Sequence, residues 1–316
     1  MGCAQYTLLD VILRTEGLTK RFDRLTAVDH LDLEVREGEV FGFLGPNAAG
    51  KTTTLRLLCA LIAPNSGTAE VAGYRLGRDD EKIRAAVGIL TEHPGLYERL
   101  SAEENLDFYA RLYAVPPRVR ADRIERTLRT LGLWERRGEA VATYSRGMKQ
   151  KVAIARSLLH EPRIVFLDEP TSGLDPDAAK TVRDLILELR EQGRTVFLCT
   201  HNLDEADRLC DRIAIFRSRL LRVDTPANLR RDLYGAWTEI RARQIAPELL
   251  ERVCAIDGVR GASLRDGTLR VDLDDPQLTN PAVVRMLVEG GAEITFVTEG
   301  RPSLEDVYLR IVETHG

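Results

Sequence analysis

The octet Gly45-Pro46-Asn47-Ala48-Ala49-Gly50-Lys51-Thr52 fits the spacing GxxxxGK[ST] and constrains this chain more than any other stretch. An apolar run, Val40 to Leu44, leads into it, and residues 51–62 behind it read as a helix stopped by Pro64 and Gly67. A strand that passes through a glycine-rich turn into a helix aims a row of backbone N–H groups at one spot. The positive end of the helix dipole points at the same place. Phosphate groups are the ligands such a turn suits. Lys51 would set its charge against the β- and γ-phosphates of a nucleotide, and Thr52 would offer its hydroxyl to Mg2+.

The rest of the chain supplies the strands and helices to carry that turn. Leu31, Leu33 and Val35 alternate with polar neighbours, the period of a half-buried strand, while residues 164–167 and 195–199 are continuous apolar strands. Residues 176–190 lie between those two as a crossover helix, which predicts a parallel sheet with right-handed connections. Helix-period leucines mark 101–113 and 118–131, separated by Pro116-Pro117. From Trp237 on the pattern changes to strand 238–241, helix 247–253, strands 258–264 and 268–273, helix 281–288 and strand 293–297. A last helix, 303–312, has Asp306 placed for a capping box. That order, β-α-β-β-α-β plus one helix, predicts a small α+β domain of ferredoxin-like type. The expected division is a nucleotide-binding domain over residues 12–230 and an accessory domain over 237–316, with a linker at 228–236. A chain of 316 residues accommodates two such domains.

The second strand ends in Ile164-Val165-Phe166-Leu167-Asp168-Glu169. A carboxylate at the end of an apolar strand in such a protein is placed to hold Mg2+, which assigns Asp168. Glu169, one step on, is placed to orient or deprotonate an attacking water. Composition narrows the partners. The net charge is −4, the wrong sign for a chain whose main partner is nucleic acid. No apolar stretch nears the roughly 20 residues of a membrane span, and no basic-then-apolar leader opens the sequence. Five cysteines without a CxxC pair suit a reducing interior, and Cys59 and Cys199 read as core residues.

Further residues carry a resemblance. Tyr144-Ser145-Arg146-Gly147-Met148-Lys149-Gln150 resembles the signature of ATP-binding-cassette (ABC) ATPases, Leu174-Asp175 their D-loop, and Thr200-His201 their switch histidine. Phe22 matches the aromatic residue that stacks on adenine in that family. These motifs run in the family's order between about residues 12 and 225. The Tyr-Ser-Arg-Gly-Met variant and the tail Ser303-Leu304-Glu305-Asp306-Val307 are similar to the drug-exporter-like, ABC-2-type branch.

The resemblance implies an α/β ATPase with a mostly parallel core sheet, an antiparallel β subdomain and a helical subdomain bearing the signature. It implies ATP and Mg2+ as cofactors. Glu169 and His201 would be catalytic, and Gly45 through Thr53, with Phe22, would hold ATP. Ser145 and Gly147 would face the nucleotide of a second copy in a head-to-tail homodimer, and Asp175 of the D-loop would be a further ATP contact. A separately encoded integral-membrane permease would receive the motion, with the ATPase on the cytoplasmic face of the membrane and the segment from Glu92 through Tyr97 into residues 101–113 as docking face. Ala48 departs from the family's usual glycine, Arg146 from the first signature glycine, and Glu92 from the Q-loop glutamine. As a carboxylate Glu92 is still a hard ligand for Mg2+ and an ATP contact. Two alternatives stay open at this level: a non-transport ABC ATPase acting on ribosomes or DNA, and an ATP-binding regulatory subunit with little turnover.

Overall fold

Continuous apolar runs and alternating ones build different sheets in this protein. The computed structural model describes residues 11–91, 95–265, 267–300 and 302–315, and the chain divides into two compact units between Thr225 and Pro226. The first unit begins with β1 (Val11–Phe22), β2 (Leu25–Arg36), β3 (Val40–Leu44), α1 (Lys51–Leu58), β4 (Ser66–Val71), β5 (Tyr74–Arg75), α2 (Asp80–Ala86) and β6 (Val87–Leu90). Helices α3 (Ala102–Leu112), α4 (Pro117–Thr130) and α5 (Arg146–Leu158) follow. The unit closes with β7 (Ile164–Asp168), α6 (Pro176–Glu191), β8 (Thr195–Thr200), α7 (Leu203–Leu209), β9 (Arg212–Arg217) and β10 (Arg219–Asp224).

Every residue of β3, β7 and β8 is buried, as strands covered on both faces require. They lie side by side in a sheet of order β10-β9-β3-β8-β7-β6, parallel throughout except for the β9–β10 hairpin. β2 instead alternates buried and exposed from His30 to Arg36, and β1 mixes buried with partly exposed positions. They form a separate antiparallel sheet, β2-β1-β4-β5. Between the layers Phe41, Phe43, Phe166, Phe197 and Phe216 pack ring against ring, each burial contributing roughly 1.5–3 kcal/mol. Cys59 and Cys199 are buried, and burial pushes both thiols up, so they are inert core residues.

The helical part is tied to the chain ahead of it. Ser101 and Glu104 form a capping box at the start of α3. Buried Asn105 donates to the carbonyls of Tyr97, Leu100 and Ser101 and accepts from the N–H of Tyr97. Lys149 of α5 pairs with Glu98 at 2.6 Å, and the Arg156 guanidinium and Tyr109 hydroxyl both donate to the carbonyl of Gly95.

In the second unit, α8 (Pro226–Tyr234) is followed by β11 (Ala236–Arg243), α9 (Glu248–Cys254), β12 (Val259–Arg265), β13 (Thr268–Leu273), α10 (Pro276–Glu289), β14 (Glu293–Gly300) and α11 (Leu304–His315). The sheet is antiparallel in the order β12-β13-β11-β14, and α9 and α10 cover its face of Ile240, Leu269, Val271 and Leu273.

Three sequence expectations need correction. Residues 228–236 are not a linker: most of them belong to α8, whose Tyr234 hydroxyl donates to the Asp306 carbonyl and whose Arg230 donates to that of Pro302. Helix α1 stops at Leu58, not at 62, because Ala60 turns left-handed and the N–H of Leu61 reaches back to the Arg56 carbonyl. Helix α10 starts at Pro276, not at Pro281. Asp275 caps it, and Pro281 lies inside the helix. Among the described residues no helix is long and apolar enough to cross a membrane.

Candidate functional site

Three parallel strands deliver the predicted residues to one edge of the core sheet. β8 lies between β3 and β7, with Leu44 level with Thr200 and Asp168 level with Cys199. The turn after β3, the carboxylates after β7 and the histidine after β8 therefore emerge together at the carboxyl ends, where open α/β sheets place ligands.

The turn after β3 is shaped by close approaches. A Cβ on Gly45 would lie 2.2 Å from the Phe216 carbonyl oxygen, and one on Gly50 would lie 2.1 Å from that of Ala27. No other residue type fits at either position. Between them the N–H of Ala49 closes a turn on the Pro46 carbonyl, with Ala48 at φ +65°. Lys51 is the first residue of α1. Its buried ammonium donates to the carbonyls of Gly45 (2.6 Å) and Pro46 (3.3 Å) and lies 3.5 Å from Glu169 Oε1.

The Thr52 hydroxyl donates to Asp168 Oδ2 at 2.8 Å. A hydroxyl and a carboxylate are hard oxygen donors, and among the described residues no cluster of three or more His, Cys, Asp or Glu forms a cage. That set fits Mg2+, which takes one or two protein ligands and completes its shell with phosphate and water. Glu92, the third expected ligand, lies outside the described residues.

Glu169 sits at φ +48° with its N–H bonded to the Cys199 carbonyl, a strained backbone of the kind that gathers at functional sites. Its carboxylate is held at both ends. Oε1 lies 2.8 Å from His201 Nδ1, and Oε2 accepts from the Thr200 hydroxyl at 3.3 Å. A cavity of about 790 Å³ opens over these groups, lined by Pro46, Asn47, Ala48, Gly50, Lys51, Thr52 and Thr53 on one side and by Asp168, Glu169 and His201 on another. Phe22, at the end of β1 and 46% exposed, forms part of its wall, with Lys20 Nζ 5.1 Å from the ring centre.

Ser145, Gly147 and Asp175 do not line this cavity. The Ser145 hydroxyl caps its own helix α5 by accepting from the N–H of Met148, and Gly147 is buried against Ala178. Asp175 caps α6 through the N–H of Ala178. Tyr144, Arg146, Lys149 and Gln150 line it instead, the last donating to the Pro170 carbonyl at 3.2 Å. In the sequence Gln150 and Thr200 stood only as members of the signature and switch motifs, with no role of their own, although a polar residue closing an apolar strand just before His201 was a usable signal.

Ala48 gives a first test. A left-handed alanine costs about 1–2 kcal/mol, offset by the roughly 0.4–1 kcal/mol of extra chain entropy that glycine loses on folding. Ala48→Gly should therefore stabilise the first unit by about 0.5–1 kcal/mol, read as a higher urea midpoint. A lower midpoint would show that the turn is not strained.

The family described as ABC transporter matches residues 28–172. Over 96% of this chain and 98% of its own length, the bacitracin transport ATP-binding protein BcrA of Bacillus licheniformis is 34% identical. The daunorubicin resistance ATP-binding protein DrrA3 of Streptomyces coeruleorubidus is 35% identical over 96% of each chain. Among solved structures, the dimeric post-hydrolysis state of the ATP-binding cassette MJ0796 bound to ADP and Pi superposes with a TM-score of 0.62 and 25% identity, over 67% of this chain and 98% of that one.

Proposed function

The chain belongs to the ATP-binding subunits of ABC transporters and hydrolyses ATP to power transport, and from that premise we propose that two copies close head to tail on Mg-ATP to drive an exporter whose membrane subunit is a separate chain. The observation that carries this reading is the convergence of Lys51, Asp168, Glu169 and His201 at the ends of three adjacent strands.

The residue roles follow from that geometry. The turn from Gly45 to Thr53 cradles the phosphates with its N–H groups, and Lys51 neutralises the β- and γ-phosphates. Thr52 and Asp168 would hold Mg2+, as would Glu92 on the sequence motif alone, and the ion when bound supplies charge neutralisation at the phosphates. Phe22 offers its exposed face to adenine. Glu169 accepts the proton of the water whose oxygen attacks the γ-phosphorus. The bond to the β-γ bridging oxygen breaks, and ADP and phosphate result. His201 fixes the base and reads the γ-phosphate. Ser145, Gly147 and Asp175 do not line their own cavity, which suits groups that complete the site of a second copy.

Likeness to bacitracin- and daunorubicin-associated proteins along nearly the whole chain supports export of a drug-like molecule. The docking face for the membrane subunit is the aromatic patch of Tyr97 and Phe108, 48% and 44% exposed and in edge contact at 5.0 Å. That contact would hold the ATPase at the cytoplasmic face of the membrane. The order β14-β11-β13-β12 with α9 and α10 supports a ferredoxin-like second unit.

The test is native co-purification of the Glu169→Gln variant with Mg-ATP from gently solubilised membranes, followed by mass spectrometry. A stoichiometric multi-span protein is expected, and its identity would narrow the substrate class. Recovery of ribosomal proteins or DNA with no membrane subunit would overturn the proposal.

A further inference from the structure

Glu205 is a buried carboxylate to which the reading above gives no role. It lies in α7, 3% exposed, with its N–H donating to Asn202 Oδ1 at 3.0 Å. Its Oε2 is 3.5 Å from Thr200 Oγ1, and its Oε1 is buried with no hydrogen-bond partner. The same Thr200 oxygen lies 3.3 Å from Glu169 Oε2 and accepts the N–H of Asn202 at 3.0 Å. One hydroxyl thus stands between two carboxyl groups with a single proton to give. If both carboxyls were ionised, one would face the hydroxyl's lone pairs, and two like charges would share a buried site.

One arrangement satisfies the groups that meet at Thr200 Oγ1. Glu205 carries a proton and donates it to Thr200 Oγ1, Thr200 donates to Glu169 Oε2, and the remaining lone pair of Thr200 takes the Asn202 N–H. The surroundings favour that assignment. Burial holds the Glu205 carboxyl above the usual carboxylate range, and the Glu169 charge pushes the same way, against the Thr171 hydroxyl and the Arg183 charge. The buried Cys210 thiol, also near Glu205, stays protonated. The other carboxyl, that of Glu169, lies 3.5 Å from the Lys51 ammonium and 2.8 Å from His201 Nδ1.

We propose that Glu205 is a positioning residue for hydrolysis: through Thr200 it fixes the second oxygen of Glu169 while His201 fixes the first. This rests on the reading of Glu169 as the base. Raising the pH ionises Glu205 and removes its donated hydrogen bond, so kcat declines on the alkaline side through this group.

The experiment is steady-state ATP hydrolysis by the purified full chain across ATP concentration and pH. Glu205→Ala and Thr200→Val each leave the carboxylate of Glu169 half-held, and kcat should fall at least about tenfold with KM for ATP within about twofold. Glu205→Gln, whose amide donates the same hydrogen bond, should recover kcat to within about threefold of wild type and lack the alkaline decline that Glu205 causes. Wild-type kcat in Glu205→Ala, or a Glu205→Gln variant as impaired as Glu205→Ala, would overturn the proposal. Should Glu205→Ala fail to fold, Thr200→Val and Glu205→Gln decide it on the same criteria. Glu169→Gln run alongside separates the two readings: its turning over like wild type removes the base assignment, whereas its inactivity beside a fully active Glu205→Ala removes only the role of Glu205.

Discussion

Replacing Glu169 by Gln is expected to lower ATP turnover by about 10²–10⁴-fold, the usual contribution of a positioned general base, while ATP still binds. The amide is isosteric and can still accept from the Thr200 hydroxyl at the distance now seen, 3.3 Å, so the site keeps its shape. What it loses is a basic lone pair within reach of a water over the phosphates. It also loses the negative partner of Lys51, 3.5 Å away, which frees the ammonium for the γ-phosphate. Binding should therefore hold or tighten as hydrolysis stops, and Mg-ATP should trap closed dimers visible by size exclusion. Phosphate release at the wild-type rate would show that another group takes the proton.

Lys51→Ala is expected to act at the earlier step. The ammonium is buried and already oriented by the Gly45 and Pro46 carbonyls, so little is lost in ordering it when phosphates arrive. A charge-assisted hydrogen bond in such a place contributes roughly 1.5–3 kcal/mol, and Lys51 makes more than one, so nucleotide affinity should fall about 30-fold or more. The loss should be steeper for ATP than for ADP, because only ATP brings a γ-phosphate for the ammonium to neutralise. Equilibrium binding of a fluorescent ATP analogue measures it. An unchanged Kd would mean that the backbone N–H groups of the turn carry the phosphates alone.

How much of this was legible in the sequence depended on range. The octet from Gly45 to Thr52 announced itself because its glycines, lysine and threonine are short-range necessities of one turn. Strands β3, β7 and β8 were legible because complete burial leaves a continuous apolar run. The 12-residue strand β1 was not: Gly17 and its register shifts against β2 break the alternation that would mark it. Residues 228–236 looked like a linker because α8 buries only Leu229 fully, and one buried position draws no helical stripe. The link from Glu205 to Thr200 and Glu169 spans β7, β8 and α7, and no local pattern reports a contact assembled from three elements. Ala48 was the converse case: the sequence showed an alanine where the resembled family usually has glycine, and φ +65° gives the reason a glycine suits that position.

The ties around residues 95–105 have a mechanical consequence. Helix α5 starts beside Ser145 and Gly147 and runs back past Gly95, to which its Arg156 is bonded, while its Lys149 grips Glu98. Asn105 then clamps that same stretch to α3, which carries Phe108. Hydrogen bonds and one ion pair thus join the leading end of α5 to the aromatic patch in a braced frame. Such a frame conveys displacement rather than slack, much as a crank does: the stroke delivered at one end is the stroke received at the other.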